Sequence, residues 1–191
     1  MKIKMVENII EQVRKFVEDE CKKPTSKYGY SPYLGHFIPM ANYSKQLAEK
    51  LKADVEVVEI AAWLHDIGSI MIGRKDHHIT GAEIAEKKLK ELNYPDKKIE
   101  MVKTCILNHR GSINNHKESV EEQVIADADA MSAFDDIEGQ FEASLVWEKK
   151  NRFEARKMVF KKLENSWNKL SFQESRDIIK PRYEAVIILL K

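Results

Sequence analysis

The stretch Ala61-Ala62-Trp63-Leu64-His65-Asp66-Ile67-Gly68 joins an apolar run to a His-Asp pair, with a glycine two residues after the aspartate. Such a run predicts a helix that carries an imidazole and a carboxylate at its last turn, and Gly68 would let the chain leave that helix. Burying both polar groups at the end of an apolar segment is costly unless something compensates them. A divalent metal ion would compensate both, if other histidines and an acidic residue converge on the same point.

Length and composition indicate a globular protein of ordinary charge. The 191 residues are 43% hydrophobic and 33% charged, with a formal net charge of +1 at pH 7, which is enough apolar material for one core. This balance gives no basis for predicting nucleic-acid or membrane-surface binding. Cys21 and Cys105 indicate no disulfide framework, so a reducing cytoplasm is the expected compartment. With no secretory signal pattern and no apolar run near the ~20 residues of a membrane span, we expect no membrane association.

The residue usage predicts an all-α fold. Lys, Glu, Ala, Leu and Ile are abundant, whereas the chain has only 7 glycines and 5 prolines, and no strand pattern rises above the helical background. We expect one domain in three parts: a helix and loop over residues 1–32, a core over 33–134 and a helical extension over 135–191. Pro181 should break or kink the last helix of that extension. An apolar stripe in the extension predicts core packing or a homodimer face, and its residues are Trp147, Phe153, Phe160, Leu163 and Trp167.

Capping residues predict where several helices begin. Asp54 can cap the helix that ends at the His-Asp pair. Thr80 with Glu83, and Ser119 with Glu122, match the capping-box pattern and would open two later helices. These signals place the His-Asp pair at the end of one helix, with a short loop and another helix after it.

Histidines at four places in the chain suit metal ligation: inside one helix, at two helix ends and in a loop before another helix. Two aspartates extend them to a mixed nitrogen and oxygen donor set, which consists of His36, His65, His77 or His78, His109, Asp66 and Asp127. Such a set suits Mn²⁺, Fe²⁺, Ni²⁺, Co²⁺ or Zn²⁺ better than thiolate-preferring metals, and it is richer in imidazole than most Mg²⁺ sites.

The chain resembles the HD-domain superfamily of metal-dependent phosphohydrolases in three places within residues 33–134. These are Gly35-His36-Phe37-Ile38, Leu64-His65-Asp66-Ile67-Gly68 and Ala126-Asp127-Ala128-Asp129. The resemblance implies an HD-domain-like helical bundle with additional C-terminal helices. It also implies that His36, His65, Asp66 and Asp127 bind one divalent ion. Asp129 lies two residues after Asp127 and so on another face of the helix, where we expect it to face solvent or to accept a hydrogen bond from a ligand residue.

The resemblance extends to the branch of the superfamily that holds two ions. His77-His78-Ile79-Thr80-Gly81-Ala82 is similar to the family histidine placed four residues before a Gly-Ala that opens a helix, which favours His77 with His78 close behind. Asn108-His109-Arg110 is similar to the next family histidine, at a helix end. By this likeness Asp66 would bridge the two ions, and His77 or His78 would complete the second site with His109.

The activity that the resemblance implies is hydrolysis of a phosphoester or phosphoanhydride in a small phosphorylated molecule, with nucleotides the first class to consider. A hydroxide held by the metal would attack, because the cation lowers the pKa of bound water. Asp66 and Arg110 are the candidate catalytic residues. Arg110, which follows the proposed ligand His109, would hold the substrate's phosphates, and Arg74 and Lys75 are further candidates for that role. Ser69 stands where the cyclic-dinucleotide branch of the superfamily has a lysine.

Two other functions fit the same residues. A few relatives in this superfamily use a six-ligand site to hold two irons and cleave C–C or C–P bonds with O₂, so iron content and oxygen consumption would identify an oxygenase. A non-catalytic sensor could retain the metal site and bind a nucleotide without turning it over. Binding without product in a panel of phosphorylated compounds would identify the sensor.

Overall fold

The computed structural model describes residues 8–109 and 117–191, and in these residues the chain forms helices and no β-strand, which confirms the all-α prediction. The α-helices, in chain order, are α1 (Ile9–Lys22), α2 (Ile38–Leu51), α3 (Val55–Leu64), α4 (Ile67–Met71), α5 (His77–Glu91), α6 (Asp96–Asn108), α7 (Val120–Ser132), α8 (Ile137–Glu142), α9 (Arg152–Lys169) and α10 (Gln173–Leu190). Two π-helical turns, Tyr33–Phe37 and Ala143–Trp147, precede α2 and α9. None of the helices in the described ranges combines the length and the apolar character that crossing a membrane requires.

Helix α3 forms the centre of the bundle. It packs against α1, α2, α6 and α7, and Ile60, Ala61, Ala62 and Leu64 are fully buried in it. A helix that is apolar on nearly all sides is stable only when surrounded in this way. Asp54 caps it as predicted, because its carboxylate accepts a hydrogen bond from the Val57 N–H at 3.1 Å. This arrangement fixes the end of α3, where the His-Asp pair lies, inside the protein.

The capping-box prediction is confirmed at α7 and is wrong at α5. Ser119 Oγ accepts from the Glu122 N–H and Glu122 Oε1 accepts from the Ser119 N–H, each at 3.2 Å. Helix α5 begins at His77, three residues before Thr80, because Asp76 adopts a left-handed conformation (φ 53°) that turns the chain into the helix early. Thr80 therefore lies inside the first turn, where its hydroxyl faces the His77 carbonyl oxygen at 3.4 Å.

Gly68 does not serve as the predicted exit from α3. The helix ends at Leu64, and Gly68 lies inside the short helix α4 that follows. A Cβ at Gly68 would collide with the His77 carbonyl oxygen and lie 2.6 Å from Thr80 Oγ1. The glycine is needed because α4 and α5 approach each other closely here, and this approach brings His77 beside Asp66.

Helices α8, α9 and α10 follow the core. Helices α9 and α10 pair with each other and both contact α7; the ring of Trp167 stacks on that of Tyr183 with centroids 4.2 Å apart. Arg182 forms an ion pair with Asp135 at 3.2 Å. Of the predicted break or kink at Pro181, the break is wrong, since α10 continues through this residue; the kink stays a prediction. Pro181 and Asp177, four residues earlier, are both exposed, so the carbonyl that loses its helical partner can be hydrated.

The apolar stripe of the C-terminal extension divides into two parts. Leu163 is fully buried, and Phe160 and Trp167 pack partly buried against the core. Trp147 and Phe153 are instead 64% and 81% exposed. Core packing therefore accounts for the second half of the stripe, and the homodimer face stays a prediction for the first half.

Candidate metal centre

His65 is the residue that follows the last turn of α3, and its side chain is completely buried. Its Nδ1 lies 2.8 Å from the Ala62 carbonyl oxygen, and since a carbonyl can only accept, Nδ1 carries the proton and donates it. In the neutral ring the lone pair is then on Nε2. Burial lowers the pKa of His65, although the nearby Asp66 carboxylate opposes this, so the neutral ring is the favoured form.

His36 reaches the same point from the π-helical turn before α2. Its Nδ1 lies 2.9 Å from Ser132 Oγ, and the Ser132 hydroxyl donates to the Asp129 carbonyl oxygen at 2.8 Å. Because that hydroxyl hydrogen is already used, Ser132 accepts the proton of His36 Nδ1, and the lone pair of His36 is on Nε2 as well. The two Nε2 atoms of His36 and His65 face each other at 2.9 Å.

Two facing lone pairs at this distance repel unless a cation lies between them. Ligands at right angles around an ion about 2.1 Å away would be about 3.0 Å apart, which the 2.9 Å separation of His36 Nε2 and His65 Nε2 matches. A carboxylate oxygen of Asp66, Oδ2, lies 3.8 Å and 3.7 Å from these two nitrogens. His36, His65 and Asp66 thus form a group that fits a divalent metal ion.

Asp66, His77 and His109 form a second group that fits an ion. The other carboxylate oxygen of Asp66, Oδ1, lies 3.2 Å from His77 Nε2 and 3.9 Å from His109 Nε2. Both rings are oriented like His65, since the Nδ1 of His77 lies 2.9 Å from the Arg74 carbonyl oxygen and that of His109 lies 2.5 Å from the Ile106 carbonyl oxygen. Each Asp66 oxygen therefore faces its own pair of imidazoles, as a bridging carboxylate would.

The electrostatics of the site favour an ionised Asp66 and neutral rings at His65 and His109. Burial by itself would raise the pKa of Asp66, but the surrounding rings of His65, His109, His36 and His77 hold that pKa well below its usual value. Ser69 Oγ donates to Asp66 Oδ1 at 3.2 Å, which also favours the charged form. Burial lowers the pKa of His109. An anionic bridge with neutral nitrogen donors is the protonation state that metal binding requires.

Contrary to the prediction, the structure turns Asp127 away from the other candidate ligands, and Asp129 is the aspartate of α7 that lies near His36 and His65. The Asp127 carboxylate is 1% exposed and accepts hydrogen bonds from the N–H groups of Ser171 and Phe172 at 2.8–3.0 Å. Its two oxygens are therefore used in holding the start of α10. Asp129 Oδ1 lies 3.6 Å from His36 Nε2 and 3.9 Å from His65 Nε2, on the side of α7 that faces these two histidines.

The remaining predicted site residues have different positions. His77 belongs to the second group of candidate ligands, whereas the ring of His78 is 5.8 Å away from that of His77 and is not part of the group. Arg74 and Lys75 are exposed in the loop before α5. Arg110 lies outside the described residues.

The structure adds Lys162, which sequence reasoning missed. Its ammonium group, on α9, interacts electrostatically with Arg74, Asp129, Asp136 and Asp66. Burial lowers the pKa of Lys162, and Arg74 lowers it further. The sequence could have indicated this residue, because the spacing of the apolar residues along α9 places position 162 on the face of the helix that turns toward the core.

Comparison with known proteins identifies the family to which the central part of the chain is similar. The family model of the HD domain matches residues 33–133. A tRNA (cytidine(56)-2'-O)-methyltransferase of Thermoplasma volcanium is 29% identical over 134 residues, which is 63% of this chain and 38% of that protein. Ribonuclease Y of Rubrobacter xylanophilus is 28% identical over 157 residues, 67% of this chain and 28% of that protein. The chain therefore spans well under half the length of these curated relatives.

The fold is shared with solved structures along nearly the whole chain. Bacillus subtilis YpgQ in complex with ADP superposes with a TM-score of 0.70 at 19% identity, covering 94% of this chain and 92% of YpgQ. HD-superfamily hydrolases are among the other structures with this fold. At this level of identity the likeness establishes the fold alone.

Proposed function

The chain belongs to the HD-domain family, and from that premise we propose that it is a metal-dependent phosphohydrolase. The proposed reaction is cleavage of a phosphoester or phosphoanhydride bond in a small molecule, with nucleotides as the substrate class. The observation that carries the proposal is the Asp66 carboxylate, whose two oxygens each face a separate pair of imidazole Nε2 atoms. That donor set fits two divalent ions side by side.

The ligand roles follow from the side chains that converge. His36, His65 and Asp129 would hold one ion and His77 and His109 the other, with Asp66 between them. A divalent ion bound there lowers the pKa of a coordinated water and neutralises charge on phosphoryl oxygens. Mn²⁺, Fe²⁺, Ni²⁺, Co²⁺ and Zn²⁺ all suit the donor set.

The protein's own residues contribute orientation. The Nδ1 hydrogen bonds of the ligand histidines fix their rings, so that little rearrangement is needed when an ion binds. Ser69 donates a hydrogen bond to the Asp66 carboxylate, which favours its ionised form. Arg110, next to the ligand His109, remains our candidate for binding a phosphate close to the reacting bond.

Nucleotides are proposed as substrates because of the metal chemistry and because a protein of the same fold was crystallised with ADP. RNA is the second substrate class to test, since ribonuclease Y is a relative over 67% of this chain. The net charge of +1 gives RNA no electrostatic advantage.

The proposal is tested with the purified full chain, freed of metal and reloaded with each of the five divalent ions. Nucleoside mono-, di- and triphosphates and a short single-stranded RNA are incubated with it, and products are separated by chromatography. We expect turnover of a nucleotide that disappears in the Asp66→Ala variant and after chelation. Absence of turnover with every ion, or full activity of metal-free Asp66→Ala, would overturn the proposal.

The same assay separates the two alternatives. An oxygenase would contain iron and would consume O₂ with its substrate, and it would be inactive without oxygen. A sensor would show a nucleotide-dependent rise in melting temperature with no product. Anaerobic turnover with Mn²⁺ would exclude both.

A further inference from the structure

A basic segment lies where the second π-helical turn joins α9. Seven of the sixteen residues over 147–162 are lysine or arginine and two are glutamate, so the segment has a formal charge of +5, against +1 for the whole chain. The rest of the chain is therefore acidic on balance, and the small net charge conceals one local basic region. Such a region attracts polyanions whatever the charge of the whole protein.

Five of these cations are exposed and have no ion-pair partner. In the described parts of the chain, no carboxylate lies within 4.0 Å of any of them. They are Lys149, Lys150, Arg152, Lys157 and Lys161. Of the other two cations, Arg156 donates to carbonyl oxygens at the end of α10 and Lys162 lies on the inward side of its helix. The carboxylate of Glu154 accepts from the Asn151 N–H at 3.0 Å and so is used in capping α9.

Two exposed aromatic side chains lie among the free cations. Trp147 is 64% exposed and Phe153 is 81% exposed. Leaving large rings in water is unfavourable, and aromatic groups on a surface mark contacts with a partner. The connection between the two rings is short and folds back, since the Lys150 N–H donates to the Ser144 carbonyl oxygen at 3.0 Å. Both rings are therefore held close to the same cations.

The outward face of α9 continues this surface. Phe153, Lys157 and Lys161 are spaced four residues apart and are all exposed, so they follow one another along one side of the helix. At 1.5 Å per residue the row is about 12 Å long. The buried residues of the helix are on its other side, and they are Ala155, Val159, Leu163 and Ser166. The row is thus open to a partner.

A second copy of this chain does not suit the surface. In a twofold-symmetric dimer the same patch meets itself, so five unpaired cations would face five others, and like charges across an interface disfavour association. The surface instead suits a polyanion that carries flat rings, because phosphates would meet the cations and bases would stack on Trp147 and Phe153. Single-stranded nucleic acids have both groups available, whereas the bases of a duplex are stacked on one another.

We propose that this surface binds single-stranded nucleic acid. The five free cations contact the phosphates, and the two exposed aromatic side chains stack with bases. Because stacking and phosphate contacts do not distinguish one base from another, the binding has little sequence preference. The binding does not rest on the proposed hydrolytic activity, since none of these side chains belongs to the candidate metal centre.

The experiment measures the fluorescence anisotropy of labelled oligonucleotides titrated with the full chain. The probes are single-stranded oligouridine, single-stranded oligothymidine and a duplex, each about 12 nucleotides long, within the usual range of site sizes of about 4–16 nucleotides. Each probe is recovered afterwards and its length is checked by electrophoresis, so that cleavage is not mistaken for weak binding. The titrations are repeated at several salt concentrations.

Two variants change the surface, and each has a matched control. Phe153→Ala removes one ring, and Tyr28→Ala removes a ring that is 41% exposed in another part of the protein. The double variant Lys157→Gln with Lys161→Gln removes two cations of the row. Its control, Lys50→Gln with Lys87→Gln, removes two exposed lysines of α2 and α5. Melting temperatures are measured for all the proteins.

We expect Phe153→Ala to weaken the binding of both single strands about fivefold to a hundredfold, as the loss of one base–aromatic stack does. Its effect on the duplex should be small. Five phosphate contacts at about 0.7 each predict that the logarithm of the association constant falls with the logarithm of the salt concentration with a slope of about −3.5. The slope should be about −2 in the double variant of Lys157 and Lys161. Both controls should bind like the wild type.

Unchanged single-strand affinity in Phe153→Ala, or an equal loss in the variant of Lys50 and Lys87, would overturn the proposal. Binding of both RNA and DNA supports it, as does a preference for either one, because both carry the phosphates and the bases. Sedimentation tests the other occupant. A wild type that is dimeric, becomes monomeric in Phe153→Ala and binds neither single strand would assign the surface to a second copy and overturn the proposal.

Discussion

Replacing Asp127 by asparagine should destabilise the fold while leaving the metal content unchanged. The carboxylate is buried and accepts hydrogen bonds from the N–H groups of Ser171 and Phe172, the residues immediately before α10. N–H groups at a helix start have no helical partner, so this carboxylate supplies what the helix lacks. Asparagine has nearly the same shape but no charge and only one accepting oxygen.

The magnitude follows from those contacts. A hydrogen bond to a charged group contributes about 1.5–3 kcal/mol, and the charge at a helix N-terminus adds about 0.5–1 kcal/mol. Since asparagine keeps one acceptor, we expect a loss of about 2–3 kcal/mol in the free energy of unfolding. For a chain of this size that corresponds to a melting temperature about 4–12 °C lower.

The assay compares Asp127→Asn with Asp129→Asn. Melting temperatures are measured by calorimetry in a chelator, and bound manganese is measured by mass spectrometry after reloading. Asp129→Asn should melt close to the wild type in the chelator, because the Asp129 carboxylate caps no helix, and it should lose manganese from the site at His36 and His65. The opposite pattern, with metal lost in Asp127→Asn and stability lost in Asp129→Asn, would refute the assignment of the two aspartates.

Three further perturbations test how the ligands are held. Ser132→Ala removes the acceptor that orients its histidine partner and should weaken Mn²⁺ binding about tenfold in a calorimetric titration; unchanged affinity would show that packing alone holds the ring. Gly68→Ala puts a Cβ against the backbone of α5 and should lower the free energy of unfolding in urea by more than about 2 kcal/mol. Gly81→Ala is the control, because its Cβ would have no neighbour closer than 3.4 Å, and it should change the free energy of unfolding by less than about 1 kcal/mol. Equal effects of the two substitutions would contradict the close approach of α4 and α5 at Gly68. Burial lowers the pKa of His65 and His109 in the native protein. Below about pH 6.5 the unfolded chain therefore binds more protons than the native one, and the free energy of unfolding must decrease as the pH decreases. The urea midpoint of the metal-free protein should therefore drop between pH 7.5 and 5.5, and a midpoint that rises on acidification would exclude this linkage.

The sequence predicted those parts of the fold that depend on local chemistry. Asp54 and the pair of Ser119 with Glu122 cap their helices as expected, because a side-chain oxygen next to free N–H groups has one favourable arrangement. The same pattern at Thr80 failed, since the left-handed turn at Asp76 had already started the helix. Cap residues indicate that a helix is near, and the preceding turn decides where it begins.

The two aspartates of α7 show what local pattern cannot supply. Helical geometry places Asp127 and Asp129 on different faces, but it does not say which face meets the histidines. That choice depends on the N–H groups of Ser171 and Phe172, which lie more than forty residues later and approach Asp127 only in the folded chain. No signal within residues 126–129 distinguishes the two.

Lys162 is the opposite case, a residue for which the sequence held a usable signal. In the run Phe160-Lys161-Lys162-Leu163 it resembles ordinary surface charge. The spacing of Ala155, Val159 and Ser166 nevertheless places position 162 on the inward face of the helix. The electrostatic interaction of this lysine with Asp66 and Asp129 is evident only from the structure.

The central claim is that Asp66 bridges two metal ions, and anomalous diffraction from crystals soaked in Mn²⁺ tests it most directly. We expect two peaks about 3.5–4 Å apart, one near His36, His65 and Asp129 and the other near His77 and His109. Each peak should lie next to a different oxygen of Asp66. A single peak that leaves His77 and His109 without a metal, or a peak bound by Asp127, would contradict the account.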